Sequence, residues 1–254
     1  MQTKSKMKLK NSQISLLLLF LILVLFSSCA AIKEGESWKM LPEDKTIGLT
    51  LLWELPEEKI KEMLPADQIP RIRNGNGVLM LFLASTESYS VGEKKYGKLG
   101  VAHLIIPLQN SISIPETIGL KNQPIISGLK QVGFPVKFGD VSLSLKEMED
   151  SVKVVGSIDF ENGKLSFAGS AENKKGGLVN LPQTTLIGKK SSKYILSGPE
   201  FYRPIAFQTI HVEQEGETWM KQLKLDLPPN RVWVNVDFGI DFEFYKNIPV
   251  RFKP

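Results

Sequence analysis

Short apolar runs bounded by turn residues recur along this chain. Residues 47–54 (IGLTLLWE), 77–85 (GVLMLFLAS) and 99–107 (LGVAHLIIP) have the length and near-continuous hydrophobicity of strands buried on both faces. Residues 141–145 and 152–160 alternate apolar and polar positions instead, which predicts strands with one wet face. The Asn162-Gly163 pair, which tolerates positive φ, predicts a tight hairpin turn leading into a strand over 164–171. A further pair is expected at 205–213 and 219–225, around Gln214-Glu215-Gly216-Glu217. Residues 231–245 (RVWVNVDFGIDFEFY) predict one long strand with Val232, Val234, Val236, Phe238, Ile240, Phe242 and Phe244 on a single face. Helices are few. Residues 56–63 (PEEKIKEM) open with proline and glutamates, suited to a first turn, and 125–132 predicts another short helix. The pattern is that of a mainly β domain with a minor α component.

The N-terminus follows a different pattern. Lys4, Lys6, Lys8 and Lys10, with no acidic residue among them, precede an apolar run from Ile14 to Phe26. That run, about 13 residues, is shorter than the roughly 20 needed to cross a bilayer core, and it ends in small residues, the layout of a cleaved signal peptide. Phe26-Ser27-Ser28-Cys29-Ala30 is similar to a bacterial lipobox, apart from Phe26 where leucine is usual. Cys29 is the chain's single cysteine and has no internal disulfide partner, so lipid attachment accounts for it best. Several acyl chains, palmitate among them, would hold the protein to a bilayer where one would not. Ala30 lacks the aspartate associated with inner-membrane retention, so the expected address is the cell envelope, at the outer membrane of a two-membrane bacterium. The predicted organisation is a signal peptide over 1–28, an acylated tether over 29–44 and one domain over 45–254.

Removal of the leader also changes the charge. The whole chain has 32 basic and 27 acidic residues, net +5, and subtracting the four leader lysines leaves +1. A near-neutral mature chain gives no electrostatic basis for a nucleic-acid partner. With His103 and His211 the only histidines and Cys29 committed, no zinc spacing exists and no metal or other cofactor is expected. Arg73-Asn74-Gly75-Asn76-Gly77 leads into a strand, so it reads as a turn and not a phosphate cradle. His103 falls inside an apolar strand and reads as a core histidine; His211 reads as solvent-facing. The lysine pairs at 94–95, 174–175 and 189–190 read as solvated loops.

One order of features carries further meaning. A Leu-Pro element at 64–65 precedes an apolar strand, and Tyr96-Gly97-Lys98 precedes another. Asn122-Gln123-Pro124-Ile125 then leads to Gly128-Leu129-Lys130 and Gly133-Phe134-Pro135-Val136-Lys137, with a weaker echo at Thr209-Ile210-His211. Across residues 52–225 this order resembles the acetoacetate decarboxylase family. The resemblance implies a β-barrel or double-sheet domain around an apolar cavity, and it implies that oligomers can form. In that family the lysine directly after the proline makes a Schiff base with a β-keto acid, its amine activated by desolvation or a nearby cation. Here that position is Val136. Leu129 and Lys130 stand where the family has arginine and glutamate, and Lys98 stands at the acid of its Tyr-x-Glu.

Valine cannot form an imine, so the leading expectation is a non-catalytic, lipid-anchored protein whose cavity binds a small apolar or weakly acidic molecule. Tyr96, Lys98, Lys130, Phe134, Val136 and Lys137 are the expected lining. Period-2 alternation points Lys137 away from Val136 if the segment is extended. The alternative is a carbon-carbon lyase with its nucleophile moved to Lys137, Lys130 or Lys98, where two close lysines would lower one another's pKa. A structural or partner-binding envelope protein, marked by a large exposed apolar patch, is the third reading.

Overall fold

The computed structural model describes residues 37–42, 46–91, 94–109, 111–131, 134–177, 179–181, 184–187, 193–196, 200–208, 210–225, 229–239 and 242–245. The leader, Cys29 and the 189–190 lysine pair lie outside them. A compact unit spanning Glu34–Pro254 holds all of these residues, and none of their helices is long and apolar enough to cross a membrane.

The chain is built mostly of strands, arranged in three sheets that do not close into a barrel. The largest sheet carries, in spatial order, β12 (Val179–Leu181), β15 (Glu200–Phe207), β17 (Arg231–Gly239), β2 (Thr46–Pro56), β3 (Asn76–Thr86), β6 (Leu99–Pro107), β7 (Ile112–Gly119), β13 (Thr184–Ile187) and β14 (Lys193–Leu196). β8 (Val136–Phe138) also pairs with β7, in parallel. A second sheet has the order β16 (His211–Gly216), β11 (Gly163–Glu172), β10 (Ser151–Phe160), β9 (Asp140–Glu147). A third joins β18 (Phe242–Tyr245), β1 (Ser37–Pro42), β4 (Tyr89–Val91) and β5 (Lys94–Tyr96).

Alternation along the strands decides what packs where. Leu49, Leu51 and Trp53 on β2, Leu79, Leu81 and Leu83 on β3, and Ala102, Leu104 and Ile106 on β6 all face the second sheet. There they bury against Val141, Leu143, Val152, Val154, Ile158, Leu165 and Phe167. This double-sheet core is closed tightly enough that a Cβ on Gly100 would overlap the backbone carbonyl oxygen of Val141 on β9. The opposite face of the large sheet carries a second, smaller cluster of Ala84, Tyr89, Leu99, Val101, Ile114, Ile126, Leu129 and Phe134. Ile126 and Leu129 come from the helix Pro124–Gln131, α2. Helix α1 is Glu57–Glu62, begun at Pro56 and carrying Glu57 and Glu58 in its first turn.

The hairpin at Asn162-Gly163 forms as expected, β10 and β11 pairing in unbroken register from Ser151↔Glu172 to Phe160↔Gly163. Residues 73–76 make a tight turn, with Asn74 and Gly75 at φ 52° and 79° and reciprocal Arg73–Asn76 backbone bonds. Four expectations are corrected. The strand expected over 205–213 is the end of β15 and the start of β16, which lie in different sheets. Residues 219–222 are not a strand but a helical turn, α3 (Trp219–Gln222), because the Thr218 hydroxyl accepts the Lys221 amide and caps it. The strand expected over 231–245 is two strands in different sheets. β17 shifts register between Asn235 and Phe238, and a shift of that kind ends strict two-residue alternation. The stretch read as a tether over 29–44 contains β1, paired with β4 and β18, so the folded unit starts before residue 45.

Candidate functional site

The register of the large sheet lines up one residue from each of six strands on the face opposite the double-sheet core. Trp233 pairs with Thr50, Thr50 with Phe82, Phe82 with His103, His103 with Thr117 and Thr117 with Val136. Side chains at paired positions share a face, so these six form a line across the sheet. Beside it runs a second line, Asn235, Gly48, Ala84, Val101, Gly119 and Phe138. Its small residues let α2 come close: a Cβ on Gly119 would collide with Ile126.

His103 shows what kind of surface this is. Its Nδ1 lies 2.8 Å from the Thr117 hydroxyl, and burial alone pulls its pKa down from 6.5 to about 4. Yet the residue is only half-buried, as are Phe82, Trp233 and Val136. Thr50 and Thr117 on the same line are buried, so this face is desolvated and carries partly accessible residues between buried ones. At neutral pH the imidazole is uncharged, so one ring nitrogen donates and the other accepts. Tyr89 sits at the margin of this region, stacked on Tyr96 with centroids 5.3 Å apart. Burial first, and then Tyr96, push its phenol up to about 12, so it too stays neutral.

The expected lining residues divide into two sets. Phe134 is buried in the cluster on this face of the sheet, with half-buried Tyr96 and Val136 packed against it. The lysines are elsewhere. Lys98 is exposed. Lys130, on the outer side of α2, is exposed too, with its ammonium 4.5 Å from the centroid of the Phe138 ring, a cation–π contact. Lys137 is one residue along β8 from Val136 and pairs with Ile118, which faces the double-sheet core. Its ammonium is 2.9 Å from Glu116 and its side chain is 54% exposed. Glu116 also accepts a hydrogen bond from the Trp219 indole. Lys137 borders an open groove of about 750 Å³ with Phe138, Asp140, Asp159, Phe160 and Glu217. The three lysines are thus all exposed among the described residues, Lys130 over the Phe138 ring and Lys137 beside Glu116, in contrast to the enclosed lining expected of them.

The sequence reading passed over Phe82, Thr50, Thr117, Trp233 and Asn235, and took His103 for core. The available signal was polar residues at inward positions of otherwise apolar strands: Thr50, His103, Thr117 and Asn235. Among the described residues no group of three metal-ligating side chains comes together.

The fold is of the acetoacetate decarboxylase-like class. Over 86% of this chain and 94% of the other, it superposes on an acetoacetate decarboxylase-like enzyme from Sphingomonas wittichii RW1 with a TM-score of 0.57 at 11% identity. It is also similar to the acetoacetate decarboxylase of Legionella pneumophila subsp. pneumophila str. Philadelphia 1 (TM-score 0.50, 12% identity, 98% of this chain and 99% of that one). A third likeness is to the enduracididine biosynthesis enzyme MppR with HEPES buffer bound (TM-score 0.50, 9% identity, 89% and 92%). No sequence-family model matches the chain, and no curated protein sequence matches it significantly.

Proposed function

We propose that this chain is a lipid-anchored envelope protein whose acetoacetate decarboxylase-like domain has a recess over Phe82 and His103 and binds a small, predominantly apolar molecule there, without covalent chemistry. The observation that carries this is the composition of the six-strand line: valine stands where the resemblance calls for the nucleophile, and none of the six residues bears a charge at neutral pH. A carboxylate would enter such a recess with no cation to offset its lost hydration, so the weakly acidic ligands that remain compatible are those bound in their protonated form. Among the described residues the exposed large apolar side chains are Ile69, Leu120, Phe138 and Val155, of which Leu120 and Phe138 adjoin at the end of the β7–β8 ladder, too few for a large patch. That favours the recess over the surface as the place of binding.

A second reading is a Schiff-base enzyme acting at Lys137, favoured by that lysine's place on the groove and by the enzymes that share the fold. One experiment decides between them. Borohydride reduction in the presence of acetoacetate or small aldehydes, followed by peptide mass spectrometry, is expected to leave Lys98, Lys130 and Lys137 unmodified, because an exposed or ion-paired amine lacks the dry pocket that activates a Schiff-base lysine. A stoichiometric adduct on any one lysine would overturn the binding reading. For the anchor, Cys29→Ser is expected to abolish lipid labelling and to move the chain from the membrane fraction to the soluble one. Labelling that persists in the variant refutes acylation at Cys29.

A further inference from the structure

We propose that the groove beside Lys137 binds a small organic cation, an ammonium group carried on an apolar body. This site is separate from the recess over Phe82 and His103 and does not depend on it.

The groove lies where the chain passes from the large sheet into the second one. Gly139 joins β8 to β9, and a Cβ there would overlap the Asp159 carbonyl oxygen on β10, so the two sheets meet at backbone contact. Ile118 and Phe138 line the groove from the large sheet, and Phe160, at the end of β10, lines it from the second. Trp219 holds the Phe160 ring edge-on, with centroids 5.4 Å apart. The far rim is fixed as well. The Glu217 amide donates to the Asn162 carbonyl oxygen at 2.9 Å, and a Cβ on Gly163 or Gly216 would overlap a backbone oxygen of the facing turn. A groove of about 750 Å³ falls within the range of small-molecule sites, roughly 300–1,000 Å³.

Charge selects what the groove can hold. Asp140, Asp159, Glu161 and Glu217 line it, and the one ammonium among the lining residues is that of Lys137. The cations nearby are engaged already: Lys137 with Glu116, Lys164 with Asp159 at 3.3 Å, and Lys121 and Lys130 over the Phe138 ring. Asp140, Glu161 and Glu217 have no ion-pair partner among the described residues. Asp140 also stands directly opposite Asp159 across the β9–β10 ladder, and like charges so placed work against strand pairing. Lys164 relieves only one of the two. Residues set against the stability of their own fold are expected where a site is built, and a bound cation offsets this repulsion. An anion of the same shape would add to it. A neutral apolar molecule would cover Phe138 and Phe160 and leave the carboxylates as they are.

The test is ligand-observed saturation-transfer NMR on the full-length chain at pH 7 in an uncharged detergent, with detergent-only blanks. The probes are 2-phenylethylamine, a cation, and its neutral and anionic counterparts 2-phenylethanol and 3-phenylpropanoate. At low ionic strength the amine is expected to bind about tenfold more tightly than either counterpart. Most of that advantage should vanish at about 1 M salt, where the screening length falls to roughly 3 Å. The double variant Asp140→Asn, Glu217→Gln is expected to weaken the amine about tenfold and to leave 2-phenylethanol unchanged. Its melting temperature should be equal or higher, since repulsion is removed. Glu149→Gln, an exposed acid in the turn at the other end of β9, should change neither probe. Amine binding that is undetectable, or no tighter than that of the alcohol, overturns the inference. So does amine binding that survives unchanged in the folded double variant, which would place the amine elsewhere, the recess included. Should the double variant not fold, Asp140→Asn or Glu217→Gln alone gives the same comparison, with about a threefold loss expected.

Discussion

Acidification from pH 7.5 to pH 4 is expected to take about 3 kcal/mol from the stability of the fold through His103 alone. The unfolded imidazole takes up its proton near pH 6.5, whereas burial holds the folded one to about 4. Between those values the unfolded state binds more protons, so each step down in pH draws the equilibrium toward unfolding. The contribution is fully present above pH 6.5 and is lost as pH falls toward 4. The groups paired with His103 on the neighbouring strands, Phe82 and Thr117, carry no charge, and neither does Val136 beyond Thr117. Nothing on that line offsets the imidazolium. His103→Gln can still hydrogen-bond with Thr117 but does not titrate, so its stability should be flatter across this window. Urea midpoints taken at half-unit pH steps measure both slopes, and parallel loss in the two proteins would refute desolvation of His103 as the cause.

One added methyl group should produce a loss of similar size at the other face of the sheet. A Cβ at Gly100 on β6 would overlap the Val141 carbonyl oxygen on β9, and a backbone atom cannot turn aside as a side chain can. Relief requires the two sheets to move apart along a core that includes Ala102, Leu104 and Leu143. Gly100→Ala is therefore expected to cost about 1–3 kcal/mol or more, the range for overpacked cores. Gly97 has nothing within 4 Å of where its Cβ would stand, so Gly97→Ala should stay within about 0.5 kcal/mol of the parent. Thermal melts of the three chains make the comparison, and indistinguishable melting of Gly100→Ala and Gly97→Ala would show that the sheets are not held at backbone contact.

Where local chemistry determined an element, the sequence was sufficient to find it. The apolar run at 99–107 is β6 from end to end, and the Asn-Gly pair fixes the β10–β11 hairpin. Proline and two glutamates mark the start of α1. Where a long-range contact decided, the sequence misled. The apolar residues of 219–225 read as a strand, but Thr218 caps a turn that packs Trp219 edge-on against Phe160 and sends its indole to Glu116 on β7. β7 itself went unseen because Pro115 and Glu116 break its apolar run, and both are accommodated beside a register shift in the β6–β7 ladder. The candidate site was hidden for the same reason. Position 136 was identified from a local motif, but its neighbours Thr117, His103 and Phe82 come from other strands, and only the register brings them together. The lysines stood out in sequence because charge is conspicuous there. In the fold, that charge keeps them in solvent or beside an acid.

Drawing one residue from each of six strands also separates the chemistry of this line from the architecture that carries it. Val136, Thr117 and Phe82 each belong to a different strand, while the pairing, the register and the Leu-rich core on the reverse of the sheet are made by other atoms. A scaffold of this kind can lose a nucleophile, gain an acceptor or change its preferred ligand one position at a time. Very little shared sequence is then needed for two proteins to keep the same frame around different contents.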